Sequence, residues 1–283
     1  MSKAKRVAAH KKYLIVTCVI FSIYTVILIF PELWLLVNSF KDYVEFSNTP
    51  WGLPKTMQWS NYAFIFENFA MGEAFFNSII LCLACPTAGV ISTTFAAYAL
   101  SKFDFHGKKV LHFIHILPML ITITGSTSTM YMFFNDLGIY DTFFSMIWSS
   151  AGGTGMNFLL VYAVFKNVSR TYMEAAEIDG ASDFTVFVKI MIPQAIGIIG
   201  TLWMLSFIGQ WNEYASYQLF LPSHPTVSTA LVSIQTNVTS GIYANHYPEF
   251  FAAIMISIIP VIVIFLVFQE QIMQMSLGGG IKG

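Results

Sequence analysis

The sequence predicts an all-α integral membrane protein with six transmembrane helices and both termini in the cytoplasm. Three observations predict it. Of the 283 residues, 56% are hydrophobic and only 10% charged, whereas a soluble domain carries about 25% charged residues. The intervals 13–31, 74–101, 110–135, 142–165, 190–212 and 250–269 contain no Asp, Glu, Lys or Arg, and each suits the roughly 20 apolar residues that cross ~30 Å of hydrocarbon. The basic residues flanking these intervals fall almost all on one face. Of the 14 Lys and Arg, only Lys41 and Lys55 lie on the other, and the positive-inside bias makes the rich face cytoplasmic.

Residues 1–12 form a basic cytoplasmic N-terminus, followed by a first transmembrane helix over 13–40. The apolar run is long for the core of a signal peptide and no A-x-A site follows it, so it reads as a retained anchor. Pro31 lies late in this helix, where a kink is expected as the chain leaves the membrane. Residues 41–73 form an extracytoplasmic segment, in which Trp51, Trp59, Tyr62 and Phe64 suit an interfacial aromatic belt. Residues 74–270 form a five-helix core with a cytoplasmic loop at 167–193 and an extracytoplasmic loop at 213–248. The latter is also free of charge beyond Glu213 but rich in Pro, Ser, Thr and Asn, with a short re-entrant or amphipathic piece. Residues 271–283 are a cytoplasmic tail, and the whole reads as one membrane domain.

Within the third span, Thr122, Thr124, Ser126, Thr127, Ser128 and Thr129 either line a polar path or bond back to helix carbonyls. Gly152, Gly153 and Gly155 open the fourth span and permit close helix approach or an irregular entry. Cys82 and Cys85 have C-x-x-C spacing but lie inside a span, where small buried residues are expected rather than a redox or metal pair. His106, His112 and His115 cluster at one membrane edge, yet a metal site wants three or four ligands, so no metal is expected.

The charged element "EAAEIDGASDFTVFVKIMIP", Glu174–Pro193, interrupts this apolar chain. Ser169 is placed to N-cap a helix beginning at Arg170, and Gly180 to stop it in the left-handed conformation. Met173, Ala176 and Gly180 share one face, with Glu174 and Glu177 beside them. Ser182 or Asp183 caps a second helix with an apolar stripe of Phe184, Phe187, Val188 and Met191, and Pro193 sits in the first turn of the fifth span. A helix of about ten residues is unstable alone in water, so this element is expected to dock into another protein's cleft.

Glu174-Ala175-Ala176, three residues, Gly180, nine residues and Ile190-Met191-Ile192-Pro193 match the EAA signature of ABC importer permeases, E-A-A-x3-G-x9-I-x-L-P, with Ile192 replacing its Leu. Together with "FPELWLLVNSFK", "WSNYAFIF", "FFNSIIL", "AAYALSKFDFHGKK", "WNEY" and "GGGIKG", the chain resembles the carbohydrate-uptake branch, the maltose-type G subunit, over nearly its whole length. It departs at Ser169, where many relatives have Pro. The resemblance implies the type I ABC importer permease fold in the plasma membrane of a prokaryote. It implies a second permease subunit in a heterodimer, two cytoplasmic ABC ATPase subunits, an extracytoplasmic solute-binding protein and a sugar substrate, with no nucleic acid. It makes Glu174, Ala175, Ala176, Glu177, Asp179, Gly180 and Pro193 the ATPase-coupling residues. No G-x-x-x-x-G-K-[ST] phosphate loop is present, so no cofactor is expected on this chain; ATP and Mg belong to the partner ATPase.

For sugar, "GQWNEYASYQ" offers Gln210, Trp211, Asn212, Glu213, Tyr214 and Tyr217 at the outer end of span five, with Asn77 and Thr127 as further pathway residues. An aromatic membrane belt explains the same residues. The uncharged loop 222–248 suits contact with the binding protein and fits neutral sugars better than anionic ones. The rival readings are an importer of another solute (an amino acid, a peptide or an osmolyte), a membrane enzyme or metal site, and a channel.

Overall fold

The computed structural model describes the backbone of residues 3–121 and 126–278 and the side chains of 13–121 and 126–270. Thr122, Thr124 and Lys282 lie outside the described residues. In chain order the helices are α1 Lys3–Ser39, α2 Tyr43–Asn48, α3 Ser60–Asn68, α4 Met71–Lys102, α5 Lys108–Leu120, α6 Ser126–Asp136, α7 Phe143–Ser150, α8 Met156–Asn167, α9 Arg170–Ile178, α10 Asp183–Val186, α11 Ile192–Asn212, α12 Ala215–Phe220, α13 Val227–Ser240 and α14 Tyr247–Gly278. No strand occurs among the described residues. The all-helical expectation therefore holds.

Four stretches are long and apolar enough to cross a membrane: Tyr13–Ser39, Met71–Lys102, Asp183–Asn212 and Tyr247–Glu270. They contain the expected first, second, fifth and sixth spans. The other two expected spans are not single helices. Interval 110–135 holds α5 and α6 on either side of residues 122–125, and interval 142–165 is broken into α7 and α8 by the turn residues between Ser150 and Met156. Gly152, Gly153 and Gly155 thus do not open the fourth span; they interrupt it. Gly153 has φ +57°, a conformation that ends a right-handed helix.

The chain divides into two compact units, Met1–Ala70 with Ser233–Ile259, and Met71–Val232 with Pro260–Gly283. In the first, α1 carries Pro31 inside one continuous helix, and large apolar side chains from Tyr13 to Phe30 are exposed, as lipid contact requires. Beyond it the chain is knotted by polar groups: Lys41 is fully buried and its Nζ donates to the Thr49 carbonyl at 2.7 Å, while Asn61 Nδ2 donates to the Ser39 and Lys41 carbonyls, each at 2.8 Å. Burial pushes the Lys41 pKa down, with the Glu45 charge opposing. Trp51 and Trp59 stand exposed, as an aromatic belt requires, and Trp34 packs its ring near Phe46, Trp51 and Phe251.

In the second unit α4 is central, packed by α7, α8 and α11. The C-terminal half of α4 (Ala97, Tyr98, Leu100) joins Phe158, Val161 and Phe165 of α8 and Val186, Phe187, Met191 and Leu202 in one buried cluster. The N-terminal half (Leu81, Cys85) joins Phe134, Met146, Tyr217 and Phe220 in another. Cys82 and Cys85 are buried, as expected of small core residues. His112 and His115 pack their rings near Phe158.

The loop expected over 213–248 contains two helices, α12 and the 14-residue α13. Val227, Ala230, Ile234 and Val238 are buried along α13 at spacings of three and four, which makes it the amphipathic piece anticipated for that loop.

Candidate functional site

The charged element folds as two capped helices joined by a tight turn. Ser169 Oγ accepts from the Thr171 N–H and N-caps α9. At the other end Gly180 has φ +81°, its N–H donates to the Glu177 carbonyl at 3.0 Å, and the Ala181 N–H donates to the Ala176 carbonyl at 2.9 Å. These two bonds form a Schellman stop, which needs a left-handed residue at the position Gly180 occupies. Ser182 caps α10 by accepting from the Thr185 N–H.

From Asp183 to Asn212 the chain is one continuous helical run, but Phe187–Met191 is a π-helical turn in which the Ile192 N–H donates to the Phe187 carbonyl. Pro193 follows directly. Its ring lacks an N–H and crowds the carbonyl four residues back, and the wider turn accommodates both defects. The expected apolar stripe is divided: Phe187 and Met191 are buried, while Phe184 and Val188 are exposed.

On α9, Met173 is buried and Ala176 packs beside it on the core of its own unit. Ala176 therefore faces inward, and Ala175 is the small residue left outside. The outward face combines Glu174, Glu177 and Asp179 with two large apolar side chains, Tyr172 (59% exposed) and Ile178 (86% exposed). This short helix thus buries one methionine and exposes an isoleucine beside three carboxylates. Tyr172 and Ile178 were not singled out by sequence reasoning; two large apolar side chains outside the Met173–Ala176–Gly180 face of so short and charged a helix are the signal that could have found them.

The element is tied back to α4. Lys102, at the end of α4 and 8% exposed, donates from Nζ to the Val168 carbonyl at 2.6 Å. Val168 immediately precedes the N-cap of α9. Asp104 accepts from Lys108 Nζ at 2.9 Å and from Arg170 Nη2 at 3.4 Å. The Lys108 hydrogen bond, then the Lys108 charge, then the Arg170 bond hold the Asp104 carboxyl below the ordinary carboxylate range. Its folded pKa is depressed, so its contribution is present above the ordinary range and is lost as pH falls through the depressed value. At neutral pH the exposed triad is intact and solvent-screened.

The proposed sugar-pathway residues separate into groups. Asn77 is buried and its amide donates to the Pro225 carbonyl at 2.9 Å. Tyr217 is buried with its hydroxyl donating to Gln210 Oε1, and buried Trp211 stacks on Phe207. Asn212 Nδ2 donates to the Ile208 carbonyl, and Glu213 Oε1 accepts from the Ser216 N–H. Tyr214 and Thr127 are exposed. Gln210 and Glu213 line cavities in this unit. Gln210 borders one of about 220 Å³ beside the α7–α8 break; both residues border a second of about 400 Å³ toward α12.

A family model described as "Binding-protein-dependent transport system inner membrane component" matches residues 7–274. The chain belongs to that family. It is therefore the multi-pass membrane component of an importer, and the family is one whose members lack their own ATPase site. Among its relatives, the diacetylchitobiose uptake system permease protein NgcG of Streptomyces coelicolor is 25% identical over 95% of this chain and 90% of its own length. The arabinooligosaccharides transport system permease protein AraQ of Bacillus subtilis is 24% identical over 96% of each chain. Among solved structures, a bacterial ABC transporter involved in import of the acidic polysaccharide alginate contains a chain of the same fold, with TM-score 0.73, 23% identity and coverage of 95% of this chain and 98% of that one.

Proposed function

We propose that this importer component is the permease subunit of an ATP-driven, binding-protein-dependent uptake system for a sugar or oligosaccharide, and that α9 is its coupling helix. The carrying observation is α9 itself: a Schellman-stopped helix with a buried anchor, Met173, and an exposed face of Tyr172, Glu174, Glu177 and Ile178. In this reading the α9 loop and both termini are cytoplasmic. The pairs α5–α6 and α7–α8 each cross once and make six crossings in all. A second permease completes the pathway, and two ATPase subunits carry ATP and Mg and push on the α9 helices as they close. An extracytoplasmic binding protein delivers the cargo, and the saccharide class follows the relatives named for saccharide uptake.

Glu174→Lys and Gly180→Trp test the coupling role. Both residues are exposed, and any side chain at Gly180 must adopt φ near +81°, costing about 1–2 kcal/mol. Expected is membrane insertion at wild-type level with uptake abolished, because the docking face is reversed in charge or displaced. Full uptake in vesicles carrying Gly180→Trp would overturn the role of α9.

A further inference from the structure

We propose that the cavity at the α7–α8 break is a cargo subsite on this subunit, built for a neutral, hydroxyl-rich saccharide unit. This rests on the saccharide-importer reading and places part of the recognition on this chain. The cavity lies beside Cys85–Thr93 of α4, near the middle of a 32-residue membrane-length helix and between the two buried clusters. Broken backbone at such depth is tolerated where it lines a polar, water-accessible space.

Its chemistry comes from the break. α7 ends there, with the Ser149 and Ser150 carbonyls accepting no backbone hydrogen bond among the described residues. α8 begins there, behind an N-cap, Gly155, that has no side chain to satisfy the first N–H groups. The space thus presents acceptors from one helix end and donors from the other. A sugar hydroxyl, which both donates and accepts, matches that pair.

Thr93 supplies an independent observation. It lines the cavity and is 4% exposed, yet its hydroxyl makes no hydrogen bond among the described residues. Elsewhere in the same unit Thr87, Thr94 and Thr201 each bond back to the carbonyl four residues earlier. Thr93 does not, and its oxygen is not among the fully buried unpaired atoms of the described residues, so it is reachable from the cavity the residue lines. Ser206 and the Asn157 amide, also in the lining, have no partner among the described residues either.

The neutral class follows from charge. The cavity lining holds no ionisable group other than Cys85. The second cavity shares Ser149, Ser150, Ser206 and Gln210 with it and adds Glu213. A uronate would therefore meet a carboxylate and no cation. The two volumes, about 220 and 400 Å³, together suit a small-molecule site, which occupies ~300–1,000 Å³.

The test uses the complete transporter in vesicles, with its sister permease, ATPases and binding protein. The probes are maltose, cellobiose, diacetylchitobiose and the acidic digalacturonate, and the readout is sugar imported per ATP hydrolysed. Expected is import of at least one neutral probe and a fall of about tenfold in Thr93→Val, as for loss of one hydrogen bond. Thr93→Ser should restore import, and Thr25→Val on α1 should match wild type. Asn157→Leu, at an exposed position, should fall similarly and gives the reading if Thr93→Val does not assemble. Wild-type import ratios in both cavity variants overturn the subsite. Digalacturonate import as fast as that of the neutral probes overturns the neutral class. No import of any saccharide by the wild type, with import of another solute, instead sinks the saccharide-importer reading on which the subsite rests.

Discussion

Gly153→Ala is expected to lower the thermal midpoint of the purified complex by about 5–15 °C, converting a cost of about 2–5 kcal/mol at the usual few degrees per kcal/mol. Two terms make up that cost. Gly153 sits at φ +57°, where an L side chain costs about 1–2 kcal/mol. A Cβ there would also lie 2.7 Å from Ser92 Oγ and 2.8 Å from the Thr93 nitrogen. The serine can rotate away, but the nitrogen belongs to the backbone of α4 and cannot, so α4 and the break must part. Such overpacking costs about 1–3 kcal/mol. Gly152→Ala is the adjoining control: φ there is not positive, and the nearest atom to its Cβ would be the Ser149 carbonyl oxygen at 3.8 Å, ordinary contact. Its midpoint should stay near wild type, within the ±0.5 kcal/mol usual of a harmless substitution. Thermal scanning of detergent-solubilised complex measures both, and equal midpoints would refute the close approach on which the cavity geometry depends.

What could be read from the sequence followed the strength of the local signal. The α9 boundaries, its Ser169 cap and its Gly180 stop were legible because each is a one-residue requirement of backbone hydrogen bonding. The long spans were legible because hydrocarbon imposes length and apolarity together. The broken fourth span was not. Residues 142–165 are apolar enough to read as one helix, and a glycine cluster is compatible with either tight packing or a break. Only the left-handed conformation of Gly153 against Ser92 and Thr93 decides between them. The site suffered the same limit. Gln210 and Glu213 announced themselves in an aromatic and polar cluster, whereas Thr93, Asn157 and Ser206 are scattered over α4, α8 and α11 and acquire meaning only when those helices meet. Asn77 and Tyr217 were read as pathway residues, and sequence does not show the bonds they make to the Pro225 carbonyl and the Gln210 amide.

Lys102→Met should reduce sugar imported per ATP hydrolysed by about tenfold, and Lys102→Arg should recover most of it. Lys102 is 8% exposed, and its ammonium caps the carbonyl of Val168 at 2.6 Å, the residue that leads into α9. Methionine fills a similar volume but leaves that carbonyl buried and unpaired, at a cost of about 1–3 kcal/mol, which the chain escapes by letting the 168–169 corner move away from α4. On the proposed coupling role of α9, a push on it would then be absorbed in that corner instead of turning α4 and α8. Arg170 and Asp104 offer a second tether between the same segments, but both are exposed, 64% and 76% at the side chain. A solvent-screened pair transmits little, so Asp104→Asn should leave the import ratio near wild type. The contrast between the two substitutions separates a buried mechanical tie from a surface ion pair. If Asp104→Asn uncouples the transporter while Lys102→Met does not, force enters the bundle through the surface triad and the buried lysine is only packing.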